Sequence, residues 1–311
     1  MNAAQRTAVP HPAPVALVTG ASRGLGLALA HALAADGWQL VITARGAAGL
    51  AAAEAELAAV TKVVALPGSI VDDDHRAHLA EAAERLGGAS LLVNNAGTLN
   101  GAPAPASEPA SASGPGSEPA PASEPGSAPA SGPTPGSQPL PRLADHPLPD
   151  LLETFEANAL APIALTQLVL PQLRARAGAV LNISSDAAVV PYVGWGGYGA
   201  SKAALDLATA VLALEEPELR VWAVDPGSMR TRMLQEACPG EDISGEPLPE
   251  QVAPVLLGLL RGGAPSGRYR AVDLAERAAD PAAEPTADPA TDQTVDHAAE
   301  PTAARADRGD R

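Results

Sequence analysis

Val15-Ala-Leu-Val-Thr-Gly20-Ala-Ser-Arg-Gly-Leu-Gly26 is the stretch on which the fold turns. Residues 15–19 form an apolar run ended by glycine, which reads as a short buried strand. The Leu- and Ala-rich residues from Gly24 to Asp36 read as a helix. Strand, glycine turn and helix is the setting a dinucleotide fingerprint requires. Gly20 would allow the tight turn, Gly24 would let the backbone approach a pyrophosphate, and Gly26 would let the helix pack closely on the strand. The phosphates would sit at the helix N-terminus, where N–H groups lacking intrahelical partners and the helix dipole favour anions. The spacing is G-x-x-x-G-x-G rather than the commoner G-x-G-x-x-G. By itself it is moderately specific, since a glycine-rich βα turn can also hold no ligand.

Working outward, strand-like and helix-like runs alternate. Strands are expected over 15–19, 39–43, 62–66, 90–94, 179–184, 220–225 and 268–272. Helices are expected over 24–36, 47–60, 72–86, 148–175, 198–215 and 249–261, with Asp72 as an N-cap. This order predicts an α/β fold: a doubly wound, Rossmann-like parallel sheet of about seven strands with helices on both faces. Ligands in such sheets bind beyond the carboxyl ends of the strands. Gly20, Asn94, Ser185 and Pro226 all fall at those ends.

A second motif is Tyr198-Gly-Ala-Ser-Lys202, downstream of Ser184-Ser185 at the end of an apolar run. A Tyr and a Lys four apart project from one side of a helix. The Lys202 ammonium is expected to favour ionisation of the Tyr198 phenol, giving a general acid/base near neutral pH. A Ser185 hydroxyl beside it would hold a substrate oxygen. A lone Y-x-x-x-K also occurs as a surface Tyr stacked on a Lys stem; the glycine turn upstream is what favours the chemical reading.

With these motifs in view, the chain resembles the short-chain dehydrogenase/reductase family, in its compact single-domain branch. The resemblance rests on Thr19-Gly-Ala-Ser-Arg-Gly-Leu-Gly26, Asn94-Asn-Ala-Gly97, Asn158, Ser185, Tyr198-x-x-x-Lys202 and Pro226-Gly-Ser-Met-Arg-Thr231. It implies an NAD(P)-dependent oxidoreductase acting on a carbonyl or alcohol. Tyr198 would be the acid/base, Lys202 would lower its pKa and bind the nicotinamide ribose, and Ser185 would polarise the substrate oxygen. Asn158 would hold a water in a proton relay to Lys202. Gly20, Ser22, Arg23, Gly24, Leu25 and Gly26 would form the cofactor turn. Asn94, Ala96 and Gly97 would line the cofactor, and Pro226, Gly227 and Thr231 would lie near the carboxamide. Such enzymes commonly form dimers or tetramers through the helices around Asn158 and Tyr198, so a homodimer or homotetramer is expected.

Cofactor choice follows from charge. The second strand ends in Ala44-Arg45 with no carboxylate, and Arg23 is a second cation. A carboxylate there would repel a 2′-phosphate, whereas a cation accommodates it. NADP(H) is therefore favoured over NAD(H). One departure from the family pattern is Ser69, which stands where an adenine-contacting Asp is common.

Composition bounds the rest. The 311 residues include 32 Pro and 29 Gly, and 15 of the Pro fall in 101–139 and 275–311. Neither segment carries enough apolar surface to offset the entropy of ordering, and both are expected to be disordered, as is a flexible N-terminus over 1–14. The catalytic domain would span 15–274, interrupted by that insertion. The net charge of −16 divides into −5 for the tail, −3 for the insertion and −8 for the remainder. An acidic surface argues against nucleic acid and anionic membranes as partners. Cys238 is the only cysteine, so an intrachain disulfide is excluded. No run reaches membrane-spanning length, and a cytoplasmic location is expected. His75 and His78 lack a third ligand and read as a solvated helix face rather than a metal site. Tyr192 and Trp195 are candidates for the substrate pocket, and Met229, Met233 and Leu234 for a lid over it. Two other readings stand beside the reductase: a non-catalytic dinucleotide-binding module, and a sugar-nucleotide epimerase or dehydratase on a related fold.

Overall fold

The computed structural model describes residues 13–99 and 140–279. Residues 1–12, 100–139 and 280–311 lie outside the described residues, and with them most of the expected N-terminal arm, insertion and tail. The strands are β1 (Val15–Thr19), β2 (Gln39–Ala44), β3 (Val63–Pro67), β4 (Ala89–Asn94), β5 (Ala179–Ile183), β6 (Arg220–Asp225) and β7 (Gly267–Arg270). They form one seven-stranded sheet in the order β3-β2-β1-β4-β5-β6-β7, parallel in every pairing. The Rossmann-like architecture is therefore as expected. Strand order reverses between β1 and β4, which opens a crevice at their carboxyl ends.

The helices are α1 (Gly24–Ala35), α2 (Ala47–Leu57), α3 (Asp73–Arg85), α4 (Leu148–Phe155), α5 (Ala161–Arg176), α6 (Gly196–Glu215), α7 (Arg232–Ala237), α8 (Pro249–Gly262) and α9 (Ala271–Ala279). Side chains leave a strand alternately to its two faces. Thus Ala16 and Val18 of β1 join Leu29, Leu33, Leu50 and Leu256 in one core under α1, α2 and α8. Val15 and Leu17 join Leu79, Leu165 and Leu173 in the other, under α3 and α5. Both faces are covered, so the strands read as unbroken apolar runs. Each fully buried Leu contributes about 1.5–3 kcal/mol of transfer free energy. Asp72 caps α3 as expected, accepting from His75 N at 3.1 Å.

Three elements differ from expectation. The single helix expected over 148–175 is broken by a π-helical turn, Glu156–Leu160, between α4 and α5. Pro162 follows that turn; it has no N–H to give the Asn158 carbonyl, and its ring crowds that carbonyl. The last strand stops at Arg270, and α9 runs on to Ala279, taking in residues 275–279 that composition assigned to the tail. Leu274 packs α9 against the first core, which offsets the cost of ordering it. The lid contains α7, capped by Thr231, whose hydroxyl accepts from Leu234 N at 3.2 Å. Among the described residues no helix is long and apolar enough to cross a membrane.

Candidate active site

A cavity of about 940 Å³ follows the carboxyl ends of the strands. Its first wall is the glycine turn. Gly20 has φ +70°, and α1 starts at Gly24 without a side-chain cap. Gly20, Ser22, Arg23, Gly24 and Leu25 all border the cavity. Gly26 does not; a Cβ there would lie 2.3 Å from the Gly20 carbonyl oxygen, so it serves helix–strand packing. Arg45, Gly46 and Ser69 border the same end, and α2 also begins without a side-chain cap, at Gly46. Two helix N-termini with two arginines and glycines that leave room for backbone approach suit a phosphate-bearing dinucleotide.

The second wall is the end of β4. The Thr19 hydroxyl accepts from the N–H groups of Asn95 and Ala96, both at 3.0 Å, and so ties this segment to β1. Asn95, Ala96 and Gly97 border the cavity. Asn94, expected to line it, does not. Its amide turns into the sheet and donates to Asn182 Oδ1 at 2.8 Å and to Thr166 Oγ1 at 3.3 Å. Asn95 takes the cavity position, its side chain donating to the Thr19 carbonyl at 2.9 Å.

Asn158, in the π turn, is fully buried and stands behind Gly97. Its Oδ1 accepts from Thr98 N at 2.8 Å, and its Nδ2 donates to the Thr98 carbonyl and to Ser201 Oγ, each at 3.0 Å. A Cβ on Gly97 would lie 3.0 Å from Asn158 Oδ1 and 3.7 Å from Lys202 Nζ. Asn158 and Lys202 thus flank Gly97, with the side chain of Asn158 away from the cavity.

The third wall carries the hydroxyls. Ser185 follows β5 in extended conformation and caps a 3₁₀ turn, Asp186–Ala188, accepting from Ala187 N at 3.2 Å. Tyr198 lies in the first turn of α6. Gly199 brings the two together: a Cβ there would stand 2.5 Å from the Ala187 carbonyl oxygen. Ser185 and Tyr198 border the same cavity, and the Ser185 hydroxyl acts to lower the pKa of the Tyr198 phenol. Trp195 packs edge-on against the Tyr198 ring, with centroids 5.7 Å apart.

Lys202 is buried, donates from Nζ to the Ile183 carbonyl at 2.7 Å, and lies 5.7 Å from the Tyr198 ring centroid. Burial pulls its pKa down to about 8, against the opposing charge of Asp206. The expected lowering of the Tyr198 pKa is not seen. Burial raises it, Asp225, Asp186 and Asp206 add to the rise, and only Ser185 opposes. The reason is local: the phenol is buried, and three carboxylates act on it.

The remaining wall is the end of β6 and the lid. Asp225 accepts from Gly227 N at 2.9 Å, fixing the turn in which Gly227 has φ +71°. Pro226, Gly227, Met229, Thr231, Met233 and Leu234 border the cavity. Trp195 borders it as well. Tyr192 instead donates to Asp186 Oδ2 at 2.7 Å. Asp186 is an additional site residue that sequence reading missed; it borders the cavity and accepts from Ser185 Oγ at 3.0 Å.

Comparison with known proteins agrees with this geometry. The family model for short chain dehydrogenases matches residues 14–112 and 136–242. Serine 3-dehydrogenase of Rhizobium radiobacter is 29% identical over 243 residues, covering 77% of this chain and 81% of that protein. L-fucose dehydrogenase of Rattus norvegicus is 30% identical over 225 residues, covering 71% and 68%. A short chain dehydrogenase from Burkholderia cenocepacia, solved in complex with NADP, superposes with a TM-score of 0.64 at 26% identity, covering 83% of this chain and 95% of that one. The chain belongs to the short-chain dehydrogenase/reductase family, whose fold binds a nicotinamide dinucleotide. It is an oxidoreductase of that family.

Proposed function

We propose that this protein interconverts a carbonyl compound and its alcohol with NADP(H) in preference to NAD(H), using Tyr198 as general acid/base. The observation that carries the reading is that Ser185, Tyr198 and Lys202 border the same cavity as the glycine turn. The bound nicotinamide would supply or take the hydride. Ser185 holds the substrate oxygen by hydrogen bonding, and Tyr198 gives it a proton during reduction. The raised pKa of Tyr198 keeps the phenol protonated at neutral pH, which suits the acid role. Lys202, beside Gly97, would bind the ribose hydroxyls, and Asn158 would support a proton relay to it. Leu99, Trp195, Met229, Met233 and Leu234 offer an apolar wall for the substrate body.

Arg23 and Arg45 support NADP(H), because both border the cavity near the uncapped start of α2, where a 2′-phosphate would be balanced. A cytoplasmic homodimer or homotetramer completes the reading. Exposed Leu152, Leu160, Leu207 and Leu214 on α4, the π turn and α6 support self-association, which sedimentation would size. The central test is Tyr198→Phe assayed with NADPH against diverse ketones and aldehydes. Turnover should fall by about 10²-fold or more, with NADPH Kd within about twofold. Retained turnover with lost cofactor binding would remove the acid/base role.

A further inference from the structure

Two cations hold the backbone on either side of Ser184. Lys202 Nζ donates to the Ile183 carbonyl at 2.7 Å, and Arg268 Nη2 donates to the Ser185 carbonyl at 3.0 Å. Arg268 comes from β7 and Lys202 from α6, so the end of β5 is gripped from two elements. Asp206 joins the two cations. It lies about one helical turn after Lys202 on α6. Its Oδ2 accepts from Arg268 Nε at 2.9 Å, with side-chain exposures of only 7% for Arg268 and 12% for Asp206.

The two residues lie behind the reacting groups: neither borders the cavity, whereas Ser185, Tyr198 and Lys202 do. Burial raises the pKa of Asp206, while Ser184, Arg268 and Lys202 oppose that rise. A buried pair of this kind costs desolvation that its mutual attraction often fails to recover, so stability alone is a weak reason for its presence. Its geometry suggests another. Arg268 uses two different N–H groups of one planar guanidinium, one on Asp206 and one on the Ser185 backbone. Fixing the first fixes the direction of the second, which the single ammonium of a lysine does not do. The carbonyl held in this way belongs to Ser185, which borders the cavity with Tyr198 and acts to lower the pKa of its phenol.

We propose that Asp206 and Arg268 are positioning residues that set the backbone of Ser185, and through it the meeting of its hydroxyl with the Tyr198 phenol. This rests on the oxidoreductase reading above. The decisive variant is the double replacement Asp206→Leu/Arg268→Met in the full chain. Apolar replacement of a buried ion pair is often neutral or stabilising, so Tm should stay within about 3 °C of the parent. NADPH Kd should stay within about twofold, while kcat should fall about tenfold or more, because small misplacements at reacting groups are costly. Parent-like kcat in this folded variant would overturn the proposal, as would a parallel loss of kcat and cofactor affinity.

If the double variant does not fold, Arg268→Lys decides. It keeps the charge and loses the fork, so kcat should fall with NADPH Kd unchanged, and an unchanged kcat overturns the proposal. Should the parent itself turn over no carbonyl, the carbonyl–alcohol reading fails by that result alone. Crystal structures of parent and variant then test the positioning role. A Ser185 hydroxyl displaced from Tyr198 in the variant supports it, and an unmoved one overturns it.

Discussion

Tyr198 is surrounded by more negative charge than its proposed role as a base would favour. Asp186 is held in place by the Ser185 hydroxyl at 3.0 Å and the Tyr192 phenol at 2.7 Å, and it raises the pKa of Tyr198. A carboxylate near a phenol disfavours phenolate, so it favours proton donation and opposes proton removal. The consequence has a definite sign. In the direction of alcohol oxidation, activity requires the deprotonated phenol and therefore rises with pH. Asp186→Asn removes one negative charge, lowers the Tyr198 pKa, and should move that rising limb of kcat to lower pH. The reduction direction should lose activity at lower pH than in the parent, for the same reason. Paired pH–rate profiles of parent and Asp186→Asn check this, and a limb that stays in place or moves upward contradicts it. Lys202 faces the opposite problem, since burial takes its pKa down to about 8. At neutral pH it still carries its charge, which suits its bond to the Ile183 carbonyl and the proposed binding of ribose hydroxyls.

At the scale of elements, two helical glycines separate packing from propensity. Gly26 in α1 sits where a Cβ would meet the Gly20 carbonyl oxygen at 2.3 Å and Asn95 Nδ2 at 2.5 Å. Gly258 in α8 has nothing within 4 Å of that position. Gly26→Ala should therefore destabilise by about 1–3 kcal/mol through overpacking, and should weaken cofactor binding because the turn must shift. Gly258→Ala should stabilise by about 0.4–1 kcal/mol, since it only restricts the unfolded chain. Chemical denaturation of both variants checks the pair, and the same sign for both would refute the packing argument. The contrast also shows what was legible in the sequence. Gly20, Ser185, Tyr198 and Lys202 sit on local patterns, a strand end or a helix turn, and those patterns placed them at the cavity. Asn94 and Asn95 could not be told apart, because β4 is buried on both faces and carries no alternation to show which side each residue takes. The π turn around Asn158 depends on Pro162 and on packing, and α9 depends on a core contact made by Leu274. The Arg268–Asp206 pair spans 62 residues of sequence and has no local signature.

Among the described residues, the candidate site is a cavity built from both halves of the sheet. The segments after β1 and β2 provide Gly20, Arg45 and Gly46, those after β4, β5 and β6 provide Ala96, Ser185 and Pro226, and α6 provides Tyr198 and Lys202. The lid spans the gap: Thr231 Cγ2 would stand 3.7 Å from a Cβ on Gly24, so the segment after β6 reaches the glycine turn of α1. A ligand lying along this cavity touches elements on both sides of the strand-order reversal and should stabilise the fold as a unit. By mass action, a ligand at 100 times its Kd adds about 2.7 kcal/mol. For a domain of this size that corresponds to a Tm rise of about 5–10 °C. NADPH should produce that rise, and NADH at the same concentration a smaller one, if Arg23 and Arg45 balance a 2′-phosphate. Arg45→Asp should reverse the order, because a carboxylate at the end of β2 repels the phosphate and accepts from a ribose hydroxyl. Thermal melts of parent and variant with each cofactor measure this without any knowledge of the carbonyl substrate. Equal shifts for the two cofactors in the parent, or an unchanged order in Arg45→Asp, would remove Arg45 as the selector while leaving the roles of Ser185 and Tyr198 to be judged by turnover.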